Sequence, residues 1–317
     1  MQVLFNVESI VKDEKSSVTL GTFDGLHYAH QTIIKKTLEE AKKNFGRSVI
    51  ITFNTHPKVV IDNSKTQMLL LTNEEKIKLI QDLNLSPDIL LFLNFDKQFS
   101  NISYIDFFEN LIIKKIGVKN LILGYDHGFG FRREGGLQYL ERVSSKYNFD
   151  LRVVGEIAVQ GKSVKSTNIR QFLLEGKIEQ ANLLLGWNYF ISGLIVEGMK
   201  RGRTIGFPTA NISVGDPLKI IPKNGVYLVK AKLDDENYFG FVNIGFRPTF
   251  ESNKELSIEV NIFDFNKDIY GKNMTIEFIE YIRDEIKFNS VDELKKQINN
   301  DKEICLKILN NKNILLN

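Results

Sequence analysis

The sequence predicts an α/β region followed by an all-β region. Two observations carry that reading. Between Val18 and about Gly155, short apolar runs alternate with longer stretches of helical period, whereas after Trp187 strands are punctuated by turn residues. Length agrees, because 317 residues suit two domains better than one core.

The first region reads as follows. "VTLGTF" (18–23), "SVIITF" (48–53), "DILLFL" (88–93) and "NLILGY" (120–125) are buried strands, and the amphipathic stretches between them imply a parallel sheet with crossover helices. Thr72 followed by Glu75 ahead of "KIKLIQDL" is a capping-box pattern. The change of period places the boundary near Gly186, giving domains 1–185 and 186–317. Beyond it, "YFISGLIVEG", "GVYLVKAKLDDENYFGFVNIG", "LSIEVNIFDF" and "MTIEFIEYI" suggest a small antiparallel barrel or sandwich. A closing helix begins at Ser290, with Glu293 three residues on.

Composition narrows the function classes. Lys and Arg number 42 against 39 Asp and Glu, a net charge of +3, so no basic field argues for nucleic acid or an anionic membrane as partner. Cys305 is the only cysteine, which excludes an internal disulfide and fits a reducing compartment. No apolar run approaches the ~20 residues of a membrane span, and no signal core opens the chain; the expected location is cytoplasmic.

Chemistry concentrates where the first strand gives way to the first helix, in "GTFDGLHYAH" (21–30). Ligands of open α/β sheets bind at the carboxyl ends of strands, and a helix N-terminus offers free N–H groups to phosphate. His27 and His30 lie one turn apart and can both face such a pocket, donating hydrogen bonds to phosphate oxygens. The plainer reading makes His27 a helix cap and His30 an exposed helical residue. A zinc site is disfavoured, since the remaining histidines are His56 and His127. In the second region there is no Walker A pattern. "GFPTAN" instead supplies Gly206 and, on one face of an extended segment, the oxygen-bearing Thr209 and Asn211, hard ligands suited to Mg²⁺. "KRGR" (200–203) in a nearly neutral protein reads as a short charged loop rather than a nucleic-acid patch. Glu259 alternates with apolar Ile258 and Val260, so it faces solvent or a pocket.

These stretches come with companions in a fixed order. "GTFDGLHYAH" resembles the G-x-F-D-G-x-H-x-G-H signature of nucleotidyltransferases, "TFNTHP" (52–57) the motif T-F-x-P-H-P, "GYDHGFGFRREGG" (124–136) the motif G-x-D-x-x-F-G-x-x-R-x-G, and "KSTNIR" (165–170) the motif S-T-x-I-R. "RGRTIGFPTANI", "PKNGVY", "NIGFRPTF", "IEVNIFDFNKDIYG" and "IRDEIKF" resemble a flavokinase half. Nearly the whole chain is similar to the bacterial bifunctional riboflavin kinase/FMN adenylyltransferase (FAD synthetase) family. The resemblance implies a Rossmann-like nucleotidyltransferase domain, a flavokinase β-barrel, and two reactions: riboflavin plus ATP to FMN, then FMN plus ATP to FAD and pyrophosphate.

It also implies roles. Gly21, Phe23, Asp24 and Gly25 form the ATP loop; His27 and His30 contact the phosphates; Ser166, Thr167 and Arg170 hold the triphosphate from the other side, Arg170 stabilising the leaving group. Asp126 and Arg133 shape the nucleotide or flavin-phosphate pocket. In the kinase half Arg203 and Gly206 belong to the phosphate loop, Thr209 and Asn211 hold Mg²⁺, Glu259 is the base and Arg283 contacts flavin. Three positions depart from the pattern: Ala29 replaces glycine, Thr55 replaces proline and His127 stands where relatives have phenylalanine. A flavokinase with a degenerate first half is therefore the main alternative. A single-reaction nucleotidyltransferase leaves the second set of motifs without purpose, and a silent flavin-binding regulator leaves Glu259 and the Mg²⁺ pair without one.

Overall fold

Four apolar runs become adjacent parallel strands because each is covered on both faces. In the computed structural model, which describes residues 1–61, 68–125, 137–198, 206–247 and 255–314, the chain divides into two compact units, Met1–Ser166 and Thr167–Asn317.

The first unit is built on β1 (Gln2–Leu4), β2 (Ser17–Leu20), β3 (Ser48–Phe53), β4 (Ile89–Leu93), β5 (Asn120–Gly124) and β6 (Asp150–Val154), all parallel in the order β1-β4-β3-β2-β5-β6. β2, β3 and β4 are buried at every residue, as a sheet with helices on both sides requires. Val18, Leu20, Val49, Ile51 and Leu91 pack with Phe107, Phe108, Ile112 and Leu140. The helix Tyr28–Lys43 lies against β2, β3 and β5. From β2 the chain passes to β3 on one side while β5 lies on the other, so the carboxyl end of β2 is the switch point where such sheets bind ligands. A short hairpin, β7 (Ala158–Val159) with β8 (Lys162–Ser163), follows β6.

The second unit resolves the choice between sandwich and barrel. β9 (Phe190–Val196), β10 (Ala210–Ser213), β11 (Gly225–Leu233), β12 (Glu236–Arg247), β13 (Glu255–Ile262) and β14 (Asn273–Arg283) close into an antiparallel barrel in the order β10-β13-β12-β11-β14-β9. The closing helix Val291–Asn311 is capped by Ser290, whose hydroxyl accepts the Glu293 N–H at 3.2 Å. Its Cys305 and Leu309 bury against Val226, Leu228, Phe241 and Phe263 of the barrel. Burial also pushes the Cys305 thiol up to about 12, so it stays protonated. Ahead of the barrel, the helix Ile178–Leu185 ends at left-handed Gly186. Its Asn182 side chain donates to Phe278 O at 2.9 Å and accepts from Tyr189 N at 2.8 Å, which ties this helix to the strands.

Candidate active sites

At the end of β2 the chain makes a loop that few sequences tolerate. Phe23 (φ 44°), Gly25 (φ 88°) and Leu26 (φ 38°) all adopt left-handed backbone before the helix Tyr28–Lys43 begins. At Gly25 the requirement is double, since a Cβ would also meet Leu70 Cδ1 at 2.6 Å. Gly21 joins the end of β2, donating its N–H to Ile51 O at 3.1 Å. Phe23 is buried and meets the His30 ring edge-on, with centroids 5.3 Å apart.

Two histidines form the floor of this junction. His27 is the N-cap of the helix, its Nδ1 accepting from the His30 N–H at 3.4 Å. The two rings stack with centroids 3.6 Å apart and planes inclined by 15°. His27 thus fulfils the capping reading, and the stack sets both imidazoles at a helix N-terminus, where partial positive charge favours anions. His30 is half-buried rather than exposed.

Asp24 is buried and grips the segment after residue 68. Its carboxylate accepts the Leu70 N–H at 3.0 Å and the Leu71 N–H at 3.2 Å, and its backbone O accepts the Ser166 hydroxyl at 2.9 Å. Ser166 is the first residue of the helix Ser166–Leu174, which also carries Thr167 and Arg170; these two belong to the second unit.

Lys76, to which sequence reasoning gave no role, stands beneath the loop. It is 4% exposed and donates to Thr22 O at 2.9 Å and to the Thr52 hydroxyl at 3.2 Å. The Thr52 hydroxyl in turn donates to Thr22 O at 3.1 Å, joining the ends of β2 and β3. Burial pulls the Lys76 ammonium down to about 8, against the opposing attraction of Asp24.

In the barrel the structure brings three expected residues together. Glu259 on β13 lies opposite Asn211 on β10 and Asn243 on β12. Thr209, one residue before β10, directs its hydroxyl to Glu259 Oε2 at 3.5 Å, the outer limit of a hydrogen bond. Ser257 donates to Glu259 Oε1 at 3.1 Å. It too was missed, although two-residue spacing on a strand puts it on the face of Glu259. Asn261, next on that face, donates to Pro208 O at 2.9 Å and so anchors the segment that carries Thr209. Gly206 occupies a turn just before it, with φ 86°.

Arg283 sits where β14 ends, and its guanidinium forks onto Asp301 of the closing helix at 2.8 and 2.7 Å. Asp301 is 1% exposed and also accepts from Gln297 at 2.8 Å. In this structure the arginine fastens the closing helix to the barrel. Asp126, Arg133 and Arg203, with His127 and the "KRGR" stretch, lie outside the described residues.

Stacked imidazoles at a helix N-terminus on a parallel sheet, and a carboxylate among oxygen donors on a closed barrel, are two separate polar sites of the kind that suits a transferase of phosphate groups. Residues 9–168 match the family model described as FAD synthetase, and residues 185–309 the model described as riboflavin kinase. The bifunctional riboflavin kinase/FMN adenylyltransferase of Listeria monocytogenes is 36% identical over 307 residues, 96% of either chain. That of Bacillus subtilis is 37% identical over 308 residues (95% of this chain, 96% of that one), and that of Escherichia coli 33% over 287 residues, 90% of either. A crystal structure described as a macrolide-efflux protein from Streptococcus pneumoniae superimposes with a TM-score of 0.86 at 32% identity, covering 96% of this chain and 98% of that one. Among the described residues no helix is long and apolar enough to cross a membrane. The chain belongs to the bifunctional riboflavin kinase/FMN adenylyltransferase family. Each half matches its own family model, so the alternative of a kinase beside a degenerate first half finds no support.

Proposed function

We propose that the barrel half phosphorylates riboflavin and the sheet half adenylylates the FMN so formed, with the functional boundary at 185/186. The chain is a riboflavin kinase and an FMN adenylyltransferase; what we assign is which residues perform each step.

In the kinase step the 5′-hydroxyl of the ribityl chain is a poor nucleophile at neutral pH. Glu259, oriented by Ser257, accepts its proton as oxygen bonds to the γ-phosphorus of ATP and the bond to ADP breaks. Thr209 and Asn211 fit Mg²⁺ by donor chemistry, as hard oxygens beside a carboxylate. The amide of Asn211 fills the space over Gly198, where a Cβ would come within 2.0 Å of its nitrogen. Bound Mg²⁺ supplies charge neutralisation on the ATP phosphates. Gly206 and Arg203 serve the phosphate loop by motif. The flavin contact of Arg283 rests on its motif alone, since its guanidinium is engaged by Asp301.

In the adenylyl step the nucleophile is already an anion, so no base is needed. The FMN phosphate oxygen bonds to the α-phosphorus of ATP and pyrophosphate leaves. His27 and His30 donate to the phosphates from the helix N-terminus, and Gly21, Phe23, Asp24 and Gly25 give the loop the shape that admits them. The roles of Thr167, Arg170, Asp126 and Arg133 rest on their motifs alone, and that of Ser166 on its motif and its bond to Asp24.

The observation that carries this reading is Glu259 held between Ser257 and Thr209, opposite Asn211. Incubating the protein with riboflavin, ATP and Mg²⁺ and separating the flavins tests it: FAD is expected, and FMN alone or unchanged riboflavin contradicts it. The boundary has a separate check. A fragment of residues 186–317 is expected to fold and phosphorylate riboflavin; if only a longer fragment from residue 167, which keeps the Asn182 bonds to the barrel, is active, the boundary lies at 166/167 instead. The single buried cysteine suits a reducing compartment, and we place the enzyme in the cytoplasm, which cell fractionation checks.

A further inference from the structure

Burying an ammonium group is costly unless a carboxylate pairs with it. Lys76 is nine-tenths and more buried, yet the oxygens it reaches are neutral, one backbone carbonyl and one hydroxyl. Among the described residues no carboxylate lies within 4.0 Å of its Nζ. The charges around it are accounted for. Asp24, from the loop, attracts it at longer range while bonding to the amides of Leu70 and Leu71. Glu75, its neighbour on the helix Asn73–Asp82, bonds the Thr72 N–H at 2.9 Å. β3 presents Thr52 and β4 the ring of Phe92, 5.8 Å from Nζ.

What the ammonium does to Thr22 points to its use. A charged donor on the carbonyl of one peptide unit polarises that unit, and the far side of the Thr22–Phe23 peptide carries the Phe23 N–H. That N–H belongs to the loop that precedes the His27 helix cap.

We propose that Lys76 is a positioning residue for the adenylyl-transfer reaction, lending buried positive charge to the nucleotide loop through the Thr22 carbonyl so that the loop binds ATP phosphates more tightly. This rests on the adenylyl-transfer reading of the first unit. It differs from a structural role in a way that can be measured. Burial holds the folded-state pKa of Lys76 at about 8, below its ordinary 10.5, so protonation favours the unfolded chain and the charged form weakens the fold below pH 8. Replacing it with methionine at pH 7 is therefore expected to leave the melting temperature unchanged or higher.

The test is Lys76→Met in the full-length chain, with separate assays of FAD from supplied FMN and of FMN from riboflavin. Wild-type protein making FAD from FMN secures the underlying reading, and wild-type failure would sink that reading instead. Given a working wild type, the variant is expected to show a KM for ATP about tenfold higher in FAD formation, with a smaller change in kcat. Its riboflavin phosphorylation and melting temperature should be retained, and Lys76→Arg, which keeps the charge, should recover part of the affinity. An ATP KM within twofold of wild type overturns the proposal. So does a Lys76→Met chain that fails to fold or melts earlier in proportion to its lost activity, because Lys76 would then serve stability.

Discussion

On the proposed assignment, the two sites handle phosphate with opposite inventories. The sheet site gathers stacked imidazoles, helix N–H groups and a buried ammonium, whereas the barrel site gathers oxygens around Glu259. The nucleophiles explain the difference. An FMN phosphate arrives ionised and repels ATP, so its site must supply donors and positive charge. A ribityl hydroxyl arrives neutral, so its site must remove a proton, and oxygen ligands recruit a cation for the ATP. Phosphoryl transfer to a hydroxyl therefore needs a base, and adenylyl transfer to a phosphate needs none.

The largest expected break in this contrast is Glu259→Gln, which keeps size and removes the base. Riboflavin phosphorylation is expected to fall by about 10²–10⁴-fold, with FAD formation from supplied FMN near wild type. Near-normal kinase turnover at saturating riboflavin and ATP would mean that positioning and metal charge suffice. Next comes His30→Ala. Loss of one phosphate donor is expected to lower FAD formation by about 10²-fold and leave FMN formation intact; equal loss of both would deny separate sites.

A smaller effect sharpens the barrel side. Gly198→Ala places a methyl where the Asn211 amide now lies, and the flexible amide end must move. We expect a barely altered melting temperature and a Mg²⁺ requirement for riboflavin phosphorylation raised by about tenfold, equal to the loss of roughly 1.4 kcal/mol of binding. An unchanged Mg²⁺ titration would remove Asn211 from the metal site.

The legibility of these features in the sequence follows the range of the interactions that make them. Local signals served well. "SVIITF" is β3 residue for residue, the Thr72–Glu75 capping box forms with both of its hydrogen bonds, and Ser290 caps the closing helix. β1 and β6 escaped notice, one because three residues show no period, the other because Asp150 and Arg152 interrupt its apolar pattern. In the candidate sites, motif spacing picked out His27 and His30, which stack, and Thr209, Asn211 and Glu259, which the barrel brings together. What it missed depends on tertiary partners. Lys76 in "NEEKIKLIQD" looks like a solvated helix lysine until β3 and the loop close over it. Asp24 finds its amides at Leu70 and Leu71, and Arg283 finds Asp301 across 18 residues.

The central claim is that one chain holds two independent sites, and mixing two damaged chains tests it most directly. Glu259→Gln alone, given riboflavin, ATP and Mg²⁺, is expected to leave riboflavin largely unconverted, and His30→Ala alone to stop largely at FMN. Combined in one vessel, they are predicted to produce FAD, because FMN released by the second variant is adenylylated by the first. A mixture that forms no FAD, while Glu259→Gln still converts supplied FMN, would contradict the independence of the sites.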